Sequence, residues 1–184
     1  DQYGWTVPNT VAELKALCDK IVADTNGKIA PFVYPGTISG GYWDFVCTNW
    51  WLQYSGSDKM NEFMKFESYE VYNHTSKTSP SYGKLKMLET FEELIVDNRT
   101  TYTLRGSASK DHKLAQTSFA QRQAAMIPNG NWIENESLQG MTDEVRMMHT
   151  PLVDGCVTDE NGNPVRYNYS GQPDYMIIPA QAKN

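Results

Sequence analysis

Residues 115–136, AQTSFAQRQAAMIPNGNWIENE, carry the pattern that decides the fold. The run reads as the end of a helix, a short apolar strand over 124–127, a tight turn at Pro128-Asn129-Gly130, and a further helix over 132–138. Helix and strand signals alternating this closely argue an α/β arrangement. The turn delivers Trp132 to the first turn of a helix, where backbone N–H groups have no intrahelical partner. An aromatic plate beside such donors suits a sugar, whose ring offers a C–H face and whose hydroxyls both donate and accept. Asn129, Asn131 and Glu134 supply side chains for those hydroxyls. The competing reading makes Trp132 core and its polar neighbours caps and turn formers, and spacing alone leaves both open.

The same alternation extends outward from this run. Residues 8–22, PNTVAELKALCDKIV, open with Thr10 as N-cap and Glu13 three places on, a reciprocal capping box. Val11, Leu14, Leu17, Cys18, Ile21 and Val22 repeat at three and four, which gives one buried stripe. The helix stops near Asn26-Gly27, with the glycine as the left-handed cap. An extended segment follows over 29–34 and closes at Pro35-Gly36. A glycine-rich loop, GTISGG at 36–41, then passes into a second, aromatic helix over 42–56. Its stripe is Trp43, Val46, Cys47, Trp50, Trp51 and Tyr54, so Trp50 and Trp51 are expected in the core, while Tyr42 lies off the stripe.

Residues 55–82 are polar and irregular apart from FMKF at 63–66. Leu85, Leu88, Phe91, Leu94 and Ile95 mark a third helix over 84–97, and 114–123 a short one. Downstream, 145–153 reads as extended, DENGNP at 159–164 as the turn of a hairpin between Val157 and Val165, and 175–179 as a buried strand. With no internal repeat and no Pro/Ser linker, the expectation is one α/β domain over 1–184, helices packed on a short sheet.

Composition narrows the partners. The chain has 184 residues, 40% hydrophobic and 21% charged, enough for a single core. Its net charge is -6 and its 16 Lys and Arg are scattered, so no basic stripe is present to displace counterions from a nucleic acid. No apolar run approaches the roughly 20 residues that cross a bilayer. A first residue of Asp rather than Met is expected of a processed or truncated product, so a signal or lipid-anchor segment is not thereby excluded. Cys18, Cys47 and Cys156 are an odd number without metal spacing, and Cys18 and Cys47 fall in phase with apolar neighbours, so packing rather than bridging is expected.

Four landmarks in order, VPNTVAELKALCDKI, GGYWDF, AQTSFAQRQAAMIPNGNW and MMHTPLVDG, resemble the carbohydrate-binding solute-binding proteins of ABC importers, the family that includes maltose-binding protein. The resemblance covers nearly the whole chain and implies most of the second lobe of a two-lobed, periplasmic-binding-protein-like fold, without the partner lobe or the terminal helices. It implies that Trp132 stacks on a sugar after the NG turn and that Tyr42 or Trp43 is the aromatic near the start of the cleft helix, with Asn129, Asn131 and Glu134 as polar contacts. Tyr42 is preferred to Trp43, which shares its stripe with Val46, Cys47 and Trp50. One departure stands out. Arg122 occupies a position where the family pattern has a small residue or glycine, which puts the geometry of that turn in doubt.

The implied function is carbohydrate binding, of an oligosaccharide or amino sugar, for import. The implied partners are the sugar and a membrane ABC permease, with no cofactor, no nucleic acid and a monomeric state. The implied location is extracellular or periplasmic, anchored as a lipoprotein. The rival classes are a glycoside-processing enzyme and a surface protein-interaction module. Glu134 with Glu136, or Asp143 with Glu144, offers the carboxylate pair that glycoside hydrolysis needs, but near neighbours on a helix face different sides. DENGNP opens like a calcium loop, yet its Gly162 comes too early and its twelfth position is Ser170. His74, His112 and His149 share no ligand spacing. The Asn-x-Ser/Thr sequences at Asn73, Asn98, Asn135 and Asn168 matter only in a eukaryotic secretory protein.

Overall fold

The computed structural model describes residues 3–67, 69–141 and 143–167. The strand expected at 175–179 and the sequence at Asn168 lie outside them. The first helix, α1 (Val11–Thr25), has the expected reciprocal box. Glu13 N–H donates to the Thr10 hydroxyl at 3.2 Å, and the Glu13 carboxylate accepts from the Thr10 amide at 3.3 Å. Its end differs in detail, because Asn26 itself takes the left-handed cap at φ 50, with Gly27 next at φ 69.

A two-stranded parallel sheet, β1 (Ala30–Phe32) and β2 (Ala124–Met126), pairs Ala30 with Ala124 and Phe32 with Met126. Phe32 also bridges Thr103, which extends the sheet by one residue on its other edge. Successive strand residues face opposite sides. Accordingly Phe32 enters a large core with Leu14, Cys18, Trp43, Trp50, Trp51, Met87, Leu94, Ile95, Tyr102 and Val153, while Val33 enters a smaller one with Ala115 and Ala124. The sheet thus contributes to two cores, and the α/β class read from the sequence is the one observed.

The second helix, α2 (Trp43–Lys65), is longer than expected because it resumes after Gly56, whose φ of 76 and ψ of 168 suit only glycine. The FMKF residues lie at its end. Trp50 and Trp51 are buried, as their spacing predicts. This helix also holds the distal chain. Trp50 Nε1 donates to the Pro151 carbonyl at 3.1 Å, and Gln53 Oε1 accepts from the Val153 amide at 2.9 Å.

The third helix, α3 (Tyr82–Phe91), runs into a π turn over Glu92–Val96 and is followed by α4 (Arg99–Tyr102). Its inward stripe differs from the expected one. Met87 is buried and Leu88 is 51% exposed, because the stripe steps by four from Met87 to Phe91 and Ile95, leaving Leu88 about 100° round the helix. Helix α5 (His112–Ala120) carries an Asp111 cap, with its carboxylate accepting from the Leu114 amide at 2.8 Å. Arg122 then sits at φ 62, in the left-handed region that glycine adopts most readily. Its guanidinium pairs with both carboxylate oxygens of Asp143.

The downstream segments make few ladder contacts. Residues 145–153, expected to be extended, hold no helix and join a ladder through a single bridge, Leu152 with Thr10, while Val145, Met147 and Met148 are exposed. The hairpin shrinks to a single bridge, Thr158 with Pro164, around a turn organised by Asp159. Its carboxylate accepts from the Asn163 and Asn161 amides at 2.8 and 2.9 Å. Those bonds, Asn163 first, hold the carboxyl below its ordinary value.

The cysteines are free thiols, Cys18 fully buried and Cys47 packed against the large core. No helix among the described residues is long and apolar enough to cross a membrane.

Candidate functional site

In parallel α/β sheets the loops at the carboxyl ends of the strands make the concave surface where ligands settle. Here the loop after β1 carries Tyr42, and the loop after β2 carries Asn129 to Trp132 and leads into α6 (Ile133–Ser137). The fold brings the two loops together. Tyr42 and Trp132 meet edge to face with ring centroids 6.2 Å apart, and Phe45 meets Trp132 at 5.9 Å and Tyr42 at 5.4 Å.

Each ring is held by unusual backbone. Gly40, Gly41 and Tyr42 take φ of 74°, 57° and 63°, three successive left-handed residues. For Tyr42 that conformation costs roughly 1–2 kcal/mol, which the glycines escape. The bend starts α2 and turns Tyr42 off its buried stripe, toward Phe45 three residues on. On the other loop, Trp132 folds back over Gly130, where a Cβ would lie 2.0 Å from the indole. Trp132 is thus fixed by Gly130, Tyr42 and Phe45 and still 39% exposed.

The polar residues divide. Asn129 is half-buried: its carbonyl oxygen accepts from the Gly130 amide at 2.8 Å, and its Nδ2 is enclosed with no protein partner. Asn131 and Glu134 are exposed, in the turn and the first turn of α6. Two further residues lie here, one not singled out in the sequence and one weighed there only as half of a carboxylate pair with Glu134. Phe45 is one, and the signal was available, since it falls three places after Tyr42 and off the Trp43 stripe. Glu136 is the other; it is four places beyond Trp132, and its carboxylate accepts from Nε2 of Gln116 at 2.8 Å. Burial, then the charges of Glu136 and Asp44, push the Tyr42 phenol above its ordinary ionisation range.

Trp43 is 6% exposed and packs edge to face on Phe32 at 5.2 Å and Phe91 at 5.6 Å. Its stripe places it in the large core with Val46 and Cys47, and it also lines the depression beside the glycine loop.

Two shallow depressions lie elsewhere. One of about 330 Å³ runs between Tyr34, Ile38, Phe91 and Arg99 beside the glycine loop, and one of about 520 Å³ lies on the second half of α2 among Asp58, Asn61, Glu62 and Lys65. Neither is lined by Tyr42, Phe45 or Trp132. Among the described residues no group of His, Cys, Asp and Glu could hold a metal ion. The arrangement at Trp132 can stack a flat apolar face and pair hydroxyls around it.

No protein-family description matches the chain, and no curated protein is similar to it in sequence. A solved structure is. The chain is similar to a sugar transporter from Bacillus licheniformis, solved in complex with stachyose. The TM-score is 0.62 at 18% identity, over 84% of this chain. At that identity the likeness is one of fold. The chain spans 38% of the transporter's length, so it corresponds to part of that architecture.

Proposed function

We propose that this chain provides one wall of a sugar-binding site in a solute-binding protein, which hands its ligand to a membrane ABC permease. The observation that carries the reading is Trp132, an aromatic side chain clamped by Gly130, Tyr42 and Phe45 and still 39% exposed at the carboxyl end of the sheet. A side chain of that size gains by burial, about 25 cal/mol for each Å² of apolar surface removed from water. Holding it rigid and uncovered is what a stacking plate requires, because a preorganised ring loses little entropy on binding. The similarity of fold to a sugar transporter solved in complex with stachyose supports the same class of ligand.

In this reading an oligosaccharide or amino sugar packs on Trp132 and Tyr42, and Asn129, Asn131 and Glu134 pair with its hydroxyls. A second lobe closes over it by a hinge motion. The site binds and does not turn over its ligand. The protein works outside the cell membrane or in the periplasm, as an anchored lipoprotein and a monomer, without cofactor or nucleic acid.

Calorimetric titration of the full-length protein with stachyose, raffinose and maltotriose tests this. Trp132→Ala should weaken the sugar that binds at least tenfold and leave the melting temperature nearly unchanged. Undiminished affinity in Trp132→Ala removes Trp132 from the site, and silence of the wild type toward all three sugars overturns the reading.

A further inference from the structure

We propose that Glu136 is a hydroxyl-accepting, specificity-determining residue of the Trp132 site, and that buried Gln116 is the positioning residue that aims it. The proposal rests on the sugar-binding reading above. Glu136 follows Trp132 by one helical turn, so the two side chains leave the same face of α6. The Glu136 amide donates to the Trp132 carbonyl at 3.1 Å, which locks that turn. The carboxylate also lies close enough to Tyr42 to hinder ionisation of its phenol. Glu136 therefore shares the helix face of Trp132, and its charge acts on the Tyr42 phenol.

Its orientation is set from below. Gln116 on α5 is 1% exposed, and its amide is used at both ends. Nε2 donates to Glu136 Oε2 at 2.8 Å, and Oε1 accepts from the Ser137 hydroxyl at 2.8 Å. One buried amide thus grips two consecutive residues of the five-residue helix that carries the platform. A buried polar group satisfied on both sides is costly to rotate away, since either broken bond leaves an enclosed donor or acceptor.

Only Oε2 of Glu136 takes a hydrogen bond from a described residue, which leaves Oε1 on an exposed side chain to accept from a ligand. A carboxylate accepts a hydroxyl about twice as strongly as a neutral oxygen does. An acceptor fixed beside a stacking plate reads the position of one hydroxyl on the stacked ring. Stacking tolerates any ring with a flat C–H face, so Glu136 adds to the discrimination between epimers that the other hydroxyl-pairing side chains supply.

The test is a double-mutant cycle on the full-length protein, titrated with stachyose, raffinose and maltotriose. Glu136→Gln should weaken binding about tenfold. Gln116→Leu should weaken it about threefold to tenfold, and the double variant should bind no more weakly than Glu136→Gln alone. Should Gln116→Leu fail to fold, Gln116→Met fills similar volume and carries the same expectation. Wild-type affinity in Glu136→Gln, alongside impaired Trp132→Ala, overturns the proposal and leaves the platform standing. Losses that multiply in the double variant overturn the role of Gln116. Wild-type affinity in Trp132→Ala instead overturns the reading on which both rest.

Discussion

Gly130 lies beneath the six-membered ring of Trp132. A Cβ on Gly130 would fall 2.0 Å from Cζ3 and 2.3 Å from Cη2, far inside van der Waals contact, so the indole rests on bare backbone. Gly130→Ala should therefore tilt the ring off its seat and away from Tyr42 and Phe45. Because Gly130 does not need a left-handed φ, the backbone itself tolerates alanine and the cost falls on the ring. Sugar affinity is expected to fall about tenfold while the melting temperature shifts by only a few degrees. Titration calorimetry with scanning calorimetry checks both, and unchanged affinity would show that stacking does not depend on this seat.

What the sequence made legible follows from what sequence encodes locally. The Thr10–Glu13 box, the stripe through Leu14, Cys18 and Ile21, and the strand after Gln123 are local patterns, and each appears in the structure. That Trp132 follows a tight turn and that Tyr42 lies off the buried stripe were also readable. Their contact was not, because it joins residues 90 positions apart through a sheet of which each strand has only three residues. Glu136 was hidden for a similar reason. On its own helix it looks like a solvated acid favouring the dipole, and only Gln116, 20 residues back, gives it an orientation. Leu88 falls outside the core because the buried stripe steps by four from Met87 to Phe91 and Ile95, where Leu85, Leu88 and Phe91 step by three.

Trp50 should dominate stability. It is fully buried in the large core, and its indole N–H donates to the Pro151 carbonyl. Trp50→Ala opens a cavity and leaves that carbonyl unpaired, at a cost of about 3–5 kcal/mol. The melting temperature should drop by roughly 10 °C or more. Limited proteolysis should also cut the segment at 145–157 faster, since Trp50 and Gln53 on one helix hold it. Protection equal to wild type would assign that anchoring to Gln53.

Two thiols set an alkaline limit. Burial pushes Cys18 and Cys47 up to about 12 from an ordinary value of 9.0, with Asp19 and Asp44 adding to it in turn. The folded chain then holds these protons at a pH where the unfolded chain has released them. Their stabilising effect is complete below about pH 9 and is lost as pH rises toward about 12. Melting temperature should fall across that window, with a shallower slope in Cys18→Ala/Cys47→Ala. At pH 8 both thiols should resist iodoacetamide in the folded protein, because the thiolate is the nucleophile. Rapid alkylation of either, mapped by mass spectrometry, would place it outside the core.

The charge around the platform should select against acidic sugars. Glu136 and Asp44 both act on Tyr42, and Glu134 lies exposed on the first turn of α6. Among the described residues, no Lys or Arg hydrogen-bonds to or stacks on Tyr42, Phe45 or Trp132. A uronic acid placed on the indole would bring a carboxylate toward several of its own sign. At about 4 Å each such pair costs about 1 kcal/mol in water and more near a protein surface. A galacturonate-containing oligosaccharide should therefore bind at least tenfold more weakly than its neutral counterpart. Raising the salt concentration should narrow the gap, since exposed charges are screened over about 10 Å at 0.1 M. Equal affinity at low salt would mean that the ligand sits on the far side of the indole from Glu136, where hydroxyl pairing falls instead to Asn129 and Asn131.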